Sequence, residues 1–132
     1  MLTLSRQTDY ALQFVAALTR VPEGASLSIR EFARQSTLSS LFLQRIAIRL
    51  KRSGIVSATK GSTGGYRLAR PAAEFTVQDV VEAIEGPVSV TLCVSKPGAC
   101  AFEHKCRTKK VVSKINYQIA QLLRNVPLTE LT

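Results

Sequence analysis

The chain has 132 residues, enough for one domain with a real core and too few for two independent ones. Its 18 Lys plus Arg against 9 Asp plus Glu give a net charge of +9 and a pI near 10.0, the bulk signature of a protein that binds a polyanion. No apolar run reaches the roughly 18–20 residues of a membrane span, and no basic segment near the start leads into an apolar stretch with a cleavage site, so a soluble, cytoplasmic protein without a membrane partner is expected.

Ala11, Phe14, Val15 and Leu18 recur at i, i+3, i+4 and i+7 and predict a first helix from about Arg6 to Arg20, ended by Pro22 and Gly24. Ser28-Ile29-Arg30-Glu31 has the capping-box pattern that opens a short second helix, with Ile29, Phe32 and Ala33 inward. After the polar turn Gln35-Ser36-Thr37, Ser39 caps a third helix on which Leu43, Ile46, Ala47 and Leu50 form the apolar stripe and Gly54 the stop. Ile55 to Thr59 and Tyr66 to Ala69 read as strands, and Lys60-Gly61-Ser62-Thr63-Gly64-Gly65 between them as a hairpin loop, the layout of a wing. Pro71 stops the second strand. Thr76-Val77-Gln78-Asp79 opens another helix, with Val77, Val80, Val81 and Ile84 on one face and Gly86-Pro87 at its end.

Residues 92–107 carry the cysteines among Pro97, Gly98 and short polar residues, and are expected to form a loop without regular structure. A last helix follows, on which Thr108, Val112, Ile115, Ile119, Leu122 and Val126 are spaced 4, 3, 4, 3, 4, the seam of a helix packed lengthwise on another. The expected architecture is mainly α with a small β-hairpin wing: a winged helix-turn-helix over residues 1–75, then a helix, the cysteine loop and a long C-terminal dimerisation helix over residues 76–132, in one compact unit.

The positive charge is not spread evenly. Residues 30–70 hold nine basic side chains (Arg30, Arg34, Arg45, Arg49, Lys51, Arg52, Lys60, Arg67 and Arg70) and one acid, Glu31. In a helix-turn-helix the second helix of the pair enters the major groove with its N-terminal residues at the base edges, while neighbouring basic groups hold phosphates. That helix begins here at Ser39, and the side chains off its apolar stripe include Ser40, Leu41, Gln44, Arg45 and Arg49. Gln44 and Arg45 have the amide and guanidinium that pair with adenine or guanine edges, and Leu41 suits a thymine methyl. Arg30, and Lys60, Ser62, Thr63 and Arg67 around the glycine-rich hairpin tip, complete the DNA-facing set. The competing reading of the same pattern is a protein-interaction module with a solvated basic side. An enzyme is disfavoured, because there is one histidine, no phosphate-cradling loop between strand and helix, and no paired carboxylates in an apolar setting.

Three cysteines packed within fourteen positions and absent elsewhere suit a metal or redox site better than a disulfide framework. Cys93, Cys100, His104 and Cys106 are the three-sulfur, one-nitrogen set that structural zinc accepts. A metal-free thiol switch and plain packing of small residues are the other uses of such cysteines.

Thr8-Asp9-Tyr10-Ala11-Leu12, the run from Leu50 to Val56, Lys60-Gly61-Ser62-Thr63-Gly64-Gly65-Tyr66-Arg67-Leu68-Ala69-Arg70-Pro71, Val80-Val81-Glu82-Ala83-Ile84-Glu85-Gly86 and the cysteine cluster together resemble the Rrf2 family of bacterial regulators, nearly end to end. That resemblance implies a winged-helix homodimer with a long crossing helix, a pseudo-palindromic double-stranded DNA operator, and an iron–sulfur cluster on Cys93, Cys100 and Cys106 that makes the protein a regulator, in the first instance a repressor, responsive to nitric oxide, redox stress or iron–sulfur status. Within the family the chain is more similar to the nitric-oxide-sensing NsrR type than to the iron–sulfur-assembly IscR type. Lys109 stands where the latter pattern has a histidine, and the Thr8-Asp9 opening is similar to sensors in which this aspartate, from the partner subunit, completes the site. The resemblance thus implies Asp9 as fourth ligand and 4Fe–4S rather than 2Fe–2S, with His104 as the alternative ligand and zinc as the alternative metal. Six residues separate Cys93 from Cys100, an interval not shared by every family member, and Asp9 also suits the first turn of a helix simply as a favourable negative charge.

Overall fold

A computed structural model describes residues 3–61 and 64–131. It contains six α-helices among these residues: α1 (Arg6–Thr19), α2 (Ile29–Ser36), α3 (Ser40–Arg52), α4 (Val77–Glu85), α5 (Leu92–Ser95) and α6 (Lys109–Arg124). Two strands, β1 (Val56–Thr59) and β2 (Gly65–Leu68), pair antiparallel with Val56 opposite Leu68 and Thr59 opposite Gly65. The protein is thus mainly helical with a hairpin wing, as the periodicities predict. None of the described helices is long and apolar enough to cross a membrane.

The starts of α1, α2, α3 and α4 are each set by a small polar residue whose oxygen takes up an otherwise orphaned amide. Ser5 accepts from the Thr8 amide at 3.1 Å, Ser28 from the Glu31 amide at 3.0 Å, and Ser39 from the Phe42 amide at 3.5 Å. At Ser28 this arm of the expected capping box is the one seen. The complete reciprocal box forms at α4 instead, where Thr76 and Asp79 each bond the other's backbone. Thr37 ends α2 in the left-handed region at φ 61°, a strained setting for a β-branched residue that turns the chain sharply toward α3.

The core is one cluster. Ala11, Phe14, Val15 and Leu18 of α1 meet Phe32 and Ala33 of α2, Leu43, Ile46, Ala47 and Leu50 of α3, and Val77, Val80, Val81 and Ile84 of α4. Leu128, fully buried in a 3-10 turn after α6, belongs to the same cluster. It is held there by the Leu128 amide on the Phe75 carbonyl at 3.0 Å and the Val77 amide on the Val126 carbonyl at 2.9 Å. The C-terminal end of α6 is therefore tied to the beginning of α4.

Thr8, the one polar residue in the buried set among the described residues, marks a knot of helix ends. Its hydroxyl donates to Glu85 Oε1 at 2.8 Å, and the Ser5 amide donates to the same oxygen at 2.7 Å. The Glu85 carboxylate, badly placed at the C-terminal end of its own helix, thereby sits at the positive end of α1. Arg49 closes the knot from α3: its Nη1 donates to the Ile84 carbonyl and to Gln7 Oε1, both at 3.2 Å.

The two-stranded wing is tied to the segment before α2 by an isolated bridge, in which Leu27 and Tyr66 exchange amide–carbonyl bonds, each 2.8 Å. Thr59 Oγ1 accepts from the Gly65 amide at 2.9 Å. A Cβ on Gly65 would run into the Leu27 backbone, and one on Gly64 into the Thr59 carbonyl, so close approach demands both glycines. Residues 92–107 are more regular than expected: Leu92–Ser95 form the short helix α5 and Glu103–Lys105 a 3-10 turn.

Two outcomes test this packing. Gly65→Ala should lower the unfolding free energy by about 1–3 kcal/mol in urea melts, since the intruding methyl meets backbone that cannot swing aside. Burial by itself would push the Glu85 carboxyl up, but hydrogen bonds from Ser5 and Thr8 outweigh it and hold the group below its ordinary value of 4.5. A lowered folded-state value means stability that is complete above the unfolded-state value and lost as pH falls through the folded one. The advantage of wild type over Glu85→Gln in urea midpoint should accordingly be present at neutral pH and shrink below pH of about 4.5.

Candidate nucleic-acid interface and cysteine loop

On α3 the buried stripe Leu43, Ile46, Ala47 and Leu50 leaves the opposite side to solvent, and Ser40, Leu41, Gln44, Arg45, Ile48, Lys51 and Arg52 are all exposed there. Core packing thus forces the outward presentation of Gln44 and Arg45. Ser39 is exposed but its hydroxyl serves as the helix cap. Arg30 is exposed at the second position of α2, where the helix dipole disfavours a cation and an added anion would relieve it. Lys60 and Arg67 are exposed on the wing, and Ser62 and Thr63 at its tip lie outside the described residues.

Arg49 stands apart from this set. It is exposed, yet its Nη1 caps α4 and binds Gln7, which gives it a role inside the fold that spacing alone did not reveal. Ile48, 40% exposed, lies outside the set expected from the sequence, where an isoleucine beside the stripe residues Ile46 and Ala47 reads as core.

In the cysteine loop all three thiols are free, Cys93 and Cys100 half-buried and Cys106 exposed. Cys93 Sγ lies 3.1 Å from Thr91 Oγ1, and Cys106 Sγ lies 3.2 Å from Thr108 Oγ1. The Thr108 hydroxyl first, and its amide second, hold the Cys106 thiol below its ordinary value. The loop's own organiser is Glu103, unnoticed in the sequence: it accepts from the Gly98 amide and from Lys109 Nζ, the latter at 2.7 Å. The Lys109 bond is the main cause that lowers the Glu103 carboxyl, and the same bond raises the Lys109 amine. Cys93 and Cys106 add a smaller favourable electrostatic effect on the Lys109 amine in the same direction.

The donor types suit an iron–sulfur or zinc site, being three uncommitted thiols in one surface loop. Their arrangement does not assemble one: among the described residues no three His, Cys, Asp or Glu side chains converge. His104 is exposed in the 3-10 turn. Asp9 is exposed in the first turn of α1, where its carboxylate accepts from Gln13 at 3.1 Å and complements the helix dipole.

No residue of α6 is buried. The expected seam divides: Val112, Ile119 and Val126 are partly covered by the chain's own body, whereas Ile115 and Leu122 are 43% and 68% exposed and align with Val111, 59% exposed. Asn116 holds the helix to the preceding segment, donating to the Val88 carbonyl at 3.1 Å and accepting from the Val90 amide at 2.9 Å.

The family described as Rrf2, iron-dependent transcriptional regulator, matches residues 4–132. Among solved structures, the chain is similar to CymR (YrzC), the global cysteine regulator of B. subtilis, at 23% identity and a TM-score of 0.81 over 99% of this chain and 96% of that one. It is similar to Staphylococcus aureus CymR at 26% identity and a TM-score of 0.71, over 94% and 93% of the two chains. T. potens IscR matches at 25% identity and a TM-score of 0.73, over 97% of this chain and 84% of that one.

If Glu103 organises the loop, Glu103→Ala should speed hydrogen exchange of the Gly98 and neighbouring amides and expose 96–107 to proteases, while the thermal midpoint of the core stays within about 1 °C of wild type. Unchanged exchange at these amides would remove Glu103 from that role.

Proposed function

The chain belongs to the Rrf2 family of transcription regulators, and we propose that it is a repressor that binds a pseudo-palindromic operator as a homodimer through α6 and responds to nitric oxide, redox stress or iron–sulfur status. The observation that carries the DNA half is the face of α3: Gln44 and Arg45 stand outward opposite a fully buried stripe, with Arg30, Lys60 and Arg67 exposed on the neighbouring elements. Gln44 and Arg45 read base edges. Arg30, Lys60, Arg67 and the tip residues Ser62 and Thr63 hold backbone phosphate, and Ser39 and Ser40 bring the helix start against it. Arg49 aids binding through the helix ends it ties together. The exposed row Val111, Ile115 and Leu122 supports α6 as the face that meets a second copy.

Cys93, Cys100 and Cys106, with Asp9 of the partner subunit as fourth ligand, would hold a 4Fe–4S cluster. When bound, such a group supplies an iron centre open to attack at its non-thiolate position. The chain's part is to keep three thiols free of disulfides in one loop and to link that loop directly to α6. A second reading, a metal-free thiol switch or a zinc site that includes His104, is favoured by the separate pairing of Cys93 with Thr91 and of Cys106 with Thr108.

The test is protein purified without oxygen, with its visible spectrum, iron, sulfide and zinc measured on one sample. Cluster absorbance lost in each single Cys→Ala variant of Cys93, Cys100 and Cys106 is expected, and a colourless protein with one zinc per chain would select the second reading. On DNA, Arg45→Ala should cost specific binding about 1–3 kcal/mol, whereas Lys60→Ala should chiefly lower the salt slope by about one.

A further inference from the structure

Successive residues of an α-helix are turned by about 100°, so positions seven apart fall within roughly 20° of each other. On α3 that relation joins Leu41 and Ile48, and both fall on the side directly opposite the buried stripe Leu43, Ile46, Ala47 and Leu50. Leu41 is 61% exposed and Ile48 40% exposed. The most outward line of the helix therefore carries Leu41 and Ile48 side by side with Arg45 and Arg52, and Gln44 stands at its flank. One exposed leucine is ordinary, but two aligned large aliphatic side chains at the summit of a basic face ask for an apolar partner.

The major groove presents one apolar group, the C5-methyl of thymine, and it lies in the same groove as the acceptors and donors that suit Arg45 and Gln44. The two side chains are separated by seven residues of helix, a rise of about 10 Å, which corresponds to roughly three base-pair steps of 3.4 Å. We propose that Leu41 and Ile48 are specificity-determining residues that read thymine methyl groups at two places about three base pairs apart in each half-site. This inference rests on the DNA-binding reading above and adds a base preference to it. A half-site with cytosine at those places lacks the methyl and leaves both side chains exposed to water.

The experiment uses the full-length protein and duplexes selected by it from a random library. Each thymine of the selected duplex is replaced in turn by deoxyuridine, which removes the methyl and leaves every hydrogen-bonding group in place. Wild-type binding should weaken about fourfold at each of two replacements per half-site, the amount expected for one buried methyl-sized group. Leu41→Ala should abolish the thymine-over-uracil preference at one of them and Ile48→Ala at the other, each variant still melting cooperatively because neither side chain belongs to the buried core. If a duplex is selected but uracil binds as well as thymine throughout, or if both variants keep the full preference, the inference is overturned and DNA recognition stands. If no duplex is enriched over random DNA at low salt, the DNA-binding reading itself fails and carries the inference down with it.

Discussion

Three helix ends meet at one carboxylate and one guanidinium, and the working surfaces of the protein are oriented by that meeting. Glu85 takes the first turn of α1 through Ser5 and Thr8, while Arg49 joins the Ile84 carbonyl of α4 to α1 through Gln7. Each charge lies where a helix dipole welcomes it, the anion at a positive end and the cation at a negative one. With α1, α3 and α4 locked in this way, the core stripe of α3 has a single way to face inward, and Gln44 and Arg45 have a single way to face out.

Much of the fold was legible because it follows from period and punctuation. The helical stripes of α1, α3 and α4 are the ones their 3.6-residue spacing predicts, and Ser28, Ser39 and Thr76 cap the helices that follow them. Arg49 was illegible as a structural residue because its partners lie 42 and 35 positions away, beyond any local rule. Leu27 was missed as a wing partner for the same reason: its bridge to Tyr66 joins residues that no short-range pattern connects.

The cysteine loop was legible in its chemistry and not in its shape. Spacing marked Cys93, Cys100 and Cys106 as a site, but a tight polar loop can be held by a single carboxylate, and nothing in the local pattern distinguishes Glu103 from an ordinary surface acid. The loop is consequently ordered by Glu103 and Lys109 with its thiols apart. The Rrf2 membership covers residues 4–132 and so includes this loop.

The anchoring of α6 has a mechanical side. At its C-terminal end the chain is pinned, with Val126 and Leu128 bonded to the backbone around α4 and Leu128 sunk in the core, while the opposite end at Lys109 runs straight out of the cysteine loop. A helix of 16 residues is a stiff rod of about 24 Å, so it behaves as a lever with its fulcrum beneath Leu128. A tilt of about 5° at that fulcrum displaces the Lys109 end by roughly 2 Å. Asn116, bonded to Val88 and Val90 midway, couples the rod to the segment after α4, so a tilt of one would carry the other with it.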